Sequence, residues 1–282
     1  KKTGILSLAE KHNIKLLNFK KGEVIRKKSS EIEFFQTKYF WKADAVINVA
    51  KYKTHSLMNY TGAVKNLYGI IPGLQKSEFH KKFPSSTKFT DVISRLYSSC
   101  KEKVVLNIID GIWGMEGEGP SAGIPRNFGV LFVSEEASSA DYIAASCMGF
   151  KQQQIEYVMS ALSADEINPD QIEIPNEWKG FKFKKVKIKR ISPFLRIISH
   201  APDFIWKPIQ NLYKYYPDFN NKCIKCNICV KTCPVSVMTF NKIDDHPVID
   251  HNNCIKCMCC HEVCPEQAIF IHRNYFARSM IK

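Results

Sequence analysis

The sequence predicts an α/β protein in two parts: a domain built on a mainly parallel sheet, then a small, cysteine-rich α+β domain. Three observations carry this. Apolar runs alternate with segments of helical periodicity over residues 1–178. Nine of the eleven cysteines fall between Cys223 and Cys264. A strongly basic stretch cut by prolines separates the two parts.

At 282 residues and 45% hydrophobic, the chain can bury a core, which excludes general disorder. No run of 18 uncharged apolar residues occurs, so no membrane-spanning helix is expected. The formal charge of +14 calls for an acidic partner: a protein, a membrane surface, nucleic acid or an anionic substrate. Clustered cysteines in a chain of this size favour metal binding in a reducing compartment over a secreted disulfide scaffold. Cys100 and Cys147 stand apart and read as buried small apolar residues.

In chain order, residues 6–13 read as a short helix and 14–19 (IKLLNF) as a strand. Residues 44–50 (DAVINVA), 102–112 and 129–134 read as buried strands, and 138–150 and 152–164 as helices. Unbroken apolar strands alternating with helices point to a parallel sheet covered on both faces. Ligands of such folds sit at the carboxyl ends of strands. Lys51, Lys53, Thr54 and His55 follow the first of these strands. A helix opened by TGAVKN then carries Lys65 and Asn66 about one turn in. After the second strand, Gly111, Gly114, Gly117, Gly119 and Gly123 frame Asp110, Glu116, Glu118 and Arg126.

A glycine-rich loop lets backbone approach a ligand closely, and nearby lysines suit a phosphate or carboxylate. The loop matches no established phosphate, flavin or nicotinamide fingerprint. Solvated surface charge is its plain alternative, as capping is for His55. His80 reads as a basic loop residue.

The connector, 179–220, holds ten Lys or Arg against one acid in residues 179–214, a net +9. Its start alternates apolar and basic residues like an edge strand with a bulge at Lys185. Its later part is apolar and aromatic. Packing between domains, an anionic membrane surface and an acidic electron carrier are the readings it allows. Nucleic acid is disfavoured, since no binding module is visible.

Residues 221–272 contain a repeat. CIKCNICVKTCP (223–234) and CIKCMCCHEVCP (254–265) both read C-x2-C-x2-C-x3-C-P, in register at a shift of 31. That is the spacing of bacterial ferredoxins with two 4Fe–4S clusters, in which each fourth thiolate comes from the other motif. The expected sets are therefore Cys223, Cys226, Cys229 and Cys264 for one cluster, and Cys254, Cys257, Cys260 and Cys233 for the other. Zinc sites pair C-x2-C units and do not require this longer unit twice. Cys259 falls outside the register as an alternative ligand, a redox thiol or a buried thiol. Each Pro is expected in the first turn of a short helix. Residues 237–250 should form a hairpin turning at Asp244–His246. Residues 273–282 are a tail.

K-T-H (53–55), G-x-x-K-N-L (62–67), D-G-I-x-G-M-E-G-x-G-P (110–120) and the second cysteine motif resemble the family of domain of unknown function 362, over residues 1–272. That resemblance implies a cytoplasmic iron–sulfur protein carrying an extra cysteine at position 259. It also implies a further α/β segment before Lys1, so the chain reads as incomplete at that end, and a proline where Ala50 stands. The combined expectation is a redox enzyme. Lys53, His55 and Lys65 would bind or protonate a small anion, and Asp110 and Glu116 would position it or hold a metal. The rival is a non-enzymatic electron-transfer or scaffold subunit.

Overall fold

The structure, a computed structural model, describes residues 4–19, 21–72, 75–83, 86–120, 123–188, 215–240 and 246–275. Helix α1 (Ile5–Lys11) is followed by irregular backbone over 14–18, where a strand was expected. A strand is stable only beside a hydrogen-bonded neighbour, and among the described residues none pairs with this run. An antiparallel hairpin follows, β1 (Val24–Ser29) and β2 (Ile32–Thr37). It turns at Ser30 with φ 53°. Strand β2 alternates, burying Ile32, Phe34 and Gln36. Short helix α2 (Lys38–Lys42) places Trp41 under Lys27, whose ammonium lies 4.2 Å from the ring centroid.

The central sheet contains β3 (Val46–His55), β4 (Asn59–Thr61), β5 (Val104–Glu116) and β6 (Ile124–Ser134), in the order β4-β3-β5-β6. Only β3 and β5 run parallel; the β3–β4 and β5–β6 pairs are antiparallel. The sheet is therefore mixed rather than mainly parallel. The apolar runs misled because both sides of the strands are apolar. One face buries Ala50, Tyr52, Ile109, Phe128 and Val130, while Ile47, Val49, Leu131 and Val133 on the other are exposed.

Between β3 and β5 lie α3 (Ala63–Asn66), a 3-10 turn (Leu67–Ile70), α4 (Gln75–Lys82) and α5 (Ser86–Cys100). Phe89, Val92, Ile93, Leu96 and Tyr97 of α5 are buried at helical spacing and form the heart of the core. Helices α6 (Ala137–Met148) and α7 (Glu156–Ala164) complete it.

The glycine-rich segment is mostly strand, not loop. A Cβ on Gly114 would stand 2.4 Å from the Tyr52 carbonyl oxygen, and one on Gly119 would overlap the Thr54 carbonyl. These glycines let β5 and its hairpin close onto β3 around Tyr52 and Thr54, rather than onto a ligand.

Residues 181–188 form no strand. The chain turns at Lys185 (φ 53°) and packs onto the first core through Phe183, Val186 and Ile188. Arg126 donates to the carbonyls of Lys184 and Lys185, and the Gly117 N–H donates to that of Lys187. The apolar half of the connector, 189–214, lies outside the described residues.

The second unit runs from β7 (Tyr215–Phe219) through α8 (Ile228–Thr232), β8 (Met238–Thr239), β9 (Val248–Ile249) and α9 (Cys259–Val263) to β10 (Ile269–Arg273). Strands β7 and β10 pair antiparallel, as do β8 and β9. The β8–β9 pair is the expected hairpin, while Asp244 and Asp245 lie outside the described residues. Pro234 and Pro265 sit in turns after α8 and α9, not in a helical first turn. A ring that cannot donate N–H fits that exit, where no helical bond is owed.

Candidate functional site

The two cysteine motifs adopt one backbone twice. Lys225, Asn227 and Ser236 have φ of 56°, 57° and 53°; Lys256, Met258 and Gln267, each 31 residues on, have 55°, 61° and 52°. Left-handed residues alternating with ordinary ones turn successive N–H groups to one side, making a concavity suited to negative charge. Cys223, Cys226, Cys229 and Cys264 line one pocket together. Cys254 stands near Cys257 and Cys233, and Cys260 near Cys257 and Cys254. Thus Cys264 lies with the first motif's first three cysteines, and Cys233 lies near Cys254 of the second motif. Met238, Ile249 and Ile269 pack between the two sets as a small apolar core. Among the described residues, no three His, Cys, Asp or Glu side chains converge on one point as ligands of a single ion.

Helix α9 faces the first unit. Its Glu262 carboxylate reaches the end of β3, where Oε1 stands 3.1 Å from His55 Nε2. The distance is that of a hydrogen bond, although the N–H is not aimed at the oxygen. His55 Nδ1 accepts the backbone N–H of Leu57 at 3.1 Å and of Met58 at 3.3 Å. The ring proton of the neutral form therefore sits on Nε2, the ring nitrogen nearer Glu262. Burial lowers the His55 pKa to about 4, with repulsion from Lys65 adding to it. His55 is thus neutral at pH 7.

Lys53, Lys65 and His80 also act on this carboxylate. Burial holds both lysines below their usual range, against the pull of Glu262. Burial alone would raise the Glu262 carboxyl; His55, Lys65 and His80 hold it below the usual range, so it is ionised. His80 is not in a loop. It lies buried on α4, stacked on Phe89 with ring centroids 4.3 Å apart. Burial lowers its pKa to about 4, and its Nδ1 has no hydrogen-bond partner among the described residues. Buried Cys259 stands close enough to Cys257, Lys65 and Tyr68 to act on each.

Helix α3, which carries Lys65, is fixed from below. Asp141 on α6 accepts the Ala63 N–H at 2.6 Å, the Val64 N–H at 3.0 Å and the Tyr60 hydroxyl at 3.2 Å. A Cβ on Gly62 would collide with Asp141 and Tyr60, which explains the glycine of TGAVKN. Asn48 donates to the Ala63 carbonyl, and Asn66 donates back to Asn48 and Val49. This polar net clamps α3 over β3.

Of the five site residues named from sequence, Lys53, His55 and Lys65 come together. Asp110 and Glu116 do not join them. Asp110 pairs with Lys51 at 2.6 Å and accepts the Ile112 N–H. Glu116 pairs with Arg126 at 2.7 Å and accepts the Lys187 N–H. Glu262 and His80 were missed. Glu262 had left a trace: at the 31-residue shift it replaces Lys231, reversing the charge. A second bridge between the units joins Arg273 to Glu118.

A family model for the domain of unknown function DUF362 matches residues 1–146, and one for a 4Fe-4S dicluster domain matches residues 222–268. The chain is 28% identical over 172 residues to the thylakoid-associated protein sll1697 of Synechocystis sp.. That match covers 61% of this chain and 53% of the relative, so the chain spans about half of the relative's length. No solved structure matches. Among the described residues, no helix is long and apolar enough to cross a membrane.

Proposed function

We propose, from the premise that the chain belongs to the DUF362 family and ends in a 4Fe-4S dicluster domain, that it is a redox protein relaying electrons to a small anion held on its first unit. Iron–sulfur clusters bound in the tail supply one-electron transfer. Two clusters are assigned, on Cys223, Cys226, Cys229 and Cys264, and on Cys254, Cys257, Cys260 and Cys233. The interleaved thiols and the doubled left-handed backbone fit that donor set.

The observation that carries the reading is the contact of Glu262 with His55. It sets a helix that carries one cluster cysteine, Cys260, and ends at another, Cys264, directly against the basic residues of the first unit. Lys53 and Lys65 would bind the anion by charge. His55, with its proton on Nε2, would donate to it. Cys259 is assigned as a packing thiol between the tail and Lys65.

The first motif lies on the wet side, where an acidic one-electron carrier would dock against Lys222, Lys225 and Lys231, all exposed. The relative's thylakoid association extends to this chain as peripheral contact of the basic connector with an anionic membrane, from a cytoplasmic position. A non-enzymatic relay is the second reading, favoured by Glu262 filling the place where a substrate would sit.

Anaerobic purification followed by iron and sulfide analysis tests the relay. About eight irons per chain are expected for two cubes, and zinc or disulfides at these sulfurs would end the proposal. A small anion co-purifying by mass spectrometry favours the enzyme over the relay alone.

A further inference from the structure

Four basic side chains from three elements act on one carboxylate that arrives from another unit, His55 at 3.1 Å. Lys53 and His55 end β3, Lys65 lies on α3 and His80 on α4. Among the described residues, Glu262 is the carboxylate that answers them, although two of the four are lysines. A half-buried site with two ammonium groups and one carboxylate is short of negative charge, and partly desolvated cations bind oxyanions strongly. Asp110 and Glu116, the acids that sequence placed nearby, are spent on Lys51 and Arg126. His80 Nδ1 is buried without a hydrogen-bond partner among the described residues.

The contact is built from one side only. The basic residues belong to a rigid frame: β3 sits within the sheet, and α3 is capped by Asp141 and tied by Asn48 and Asn66. Glu262 belongs to a five-residue helix on a unit joined to the frame through residues 189–214. A preformed basic frame that receives a carboxylate from a separate unit has the design of a ligand site with an internal occupant.

We propose that Glu262 is a self-ligand: it occupies the oxyanion position of the Lys53–His55–Lys65–His80 site, and a small carboxylate or phosphate enters by displacing it. This rests on the anion site proposed above and adds its regulation. An anion that enters must withdraw α9, and with it the segment between Cys260 and Cys264. Occupancy of the site by an anion and by Glu262 then exclude each other, so anion binding is coupled to withdrawal of α9.

The test measures binding of inorganic phosphate and of acetate, by calorimetry, to the anaerobically purified full chain. The wild type is compared with Glu262→Ala and Glu262→Gln. The alanine variant should bind one or both anions at least tenfold more tightly than the wild type, because the competitor is gone and its space is open. A gain with acetate alone marks a carboxylate site; a gain with phosphate marks a phosphate site. The glutamine variant should gain less, since it keeps the bulk and loses the charge. Adding Lys65→Met to Glu262→Ala should abolish the gain. No gain in either Glu262 variant overturns the proposal, as does a gain that survives loss of Lys65. Iron content of the same samples separates the two readings: a full complement of iron with no gain in binding defeats the self-ligand and leaves the relay standing.

Discussion

The two cysteine motifs share spacing and backbone but not surroundings. In the first, Ile224 is 60% exposed, Ile228 is 41% exposed, and Cys226 faces water. In the second, Cys257, Met258, Cys259, Cys260 and His261 are all 1–7% exposed. At the 31-residue shift, Asn227, Ile228, Val230 and Lys231 become Met258, Cys259, His261 and Glu262. The copies thus diverge at the positions that face the first unit and agree where sulfur is presented. One half looks outward and the other inward. Burial and nearby charge set cluster potentials, so clusters held in the two halves should differ in redox behaviour as well as access.

The strongest way to break this comparison is to test the crossing. Cys264→Ala lies in the inward motif, yet it should strip the outward set, lowering iron from about eight to about four per chain. The iron that remains should be the fraction slow to react with a chelator. If the fast fraction remains instead, the sets do not interleave. Cys260→Ala should remove the slow fraction, and Cys259→Ala should leave iron unchanged.

The inward half should also depend on the scaffold beneath it. Asp141→Ala leaves two α3 amides and a tyrosine hydroxyl unanswered, at a cost of about 3 kcal/mol in denaturant unfolding. The paramagnetic signal of the slow set should shift, and that of the fast set should not.

Acid sharpens the contrast further. The His55 pKa falls from 6.5 to about 4 on folding. Between those values the unfolded chain binds the extra proton, so stability declines as pH drops from 6.5 toward 4. The size is at most about 3 kcal/mol, and His55→Gln should flatten this limb. Asp141 acts oppositely: burial pushes it from 3.8 up to about 7, so its contribution declines as pH rises through that window. Asp141→Asn should remove that slope.

The smallest effect is expected at the Glu118–Arg273 bridge, which is partly exposed. Glu118→Ala should change stability by less than about 1 kcal/mol. A larger loss would mean that this bridge, rather than Glu262, seats the tail.

How much of this was readable in one dimension varies by cause. The cysteine repeat was plain, because ligand spacing is a local property of the chain. Lys53, His55 and Lys65 could be grouped because strand ends and helix starts are local too. The mixed sheet was not, since an apolar run such as VINVA carries no record of its partner's direction. The β1–β2 hairpin was passed over because VIRKKS hides its alternation among charges, and α5 despite the spacing of Phe89, Val92, Ile93 and Leu96. His80 looked like a surface residue because its stacking on Phe89 depends on how α4 and α5 meet. Glu262 needed the docking of two units, and only its charge reversal against Lys231 hinted at a task.

The paired left-handed positions have a practical consequence. Lys, Asn and Ser occupy them in one copy and Lys, Met and Gln in the other, so the chain path there does not hinge on side-chain identity. A frame indifferent to its decoration can be re-dressed. Transplanting residues 258–263 onto 227–232 would give the outward copy an adhesive surface of its own, and with it a route to wiring such proteins head to tail.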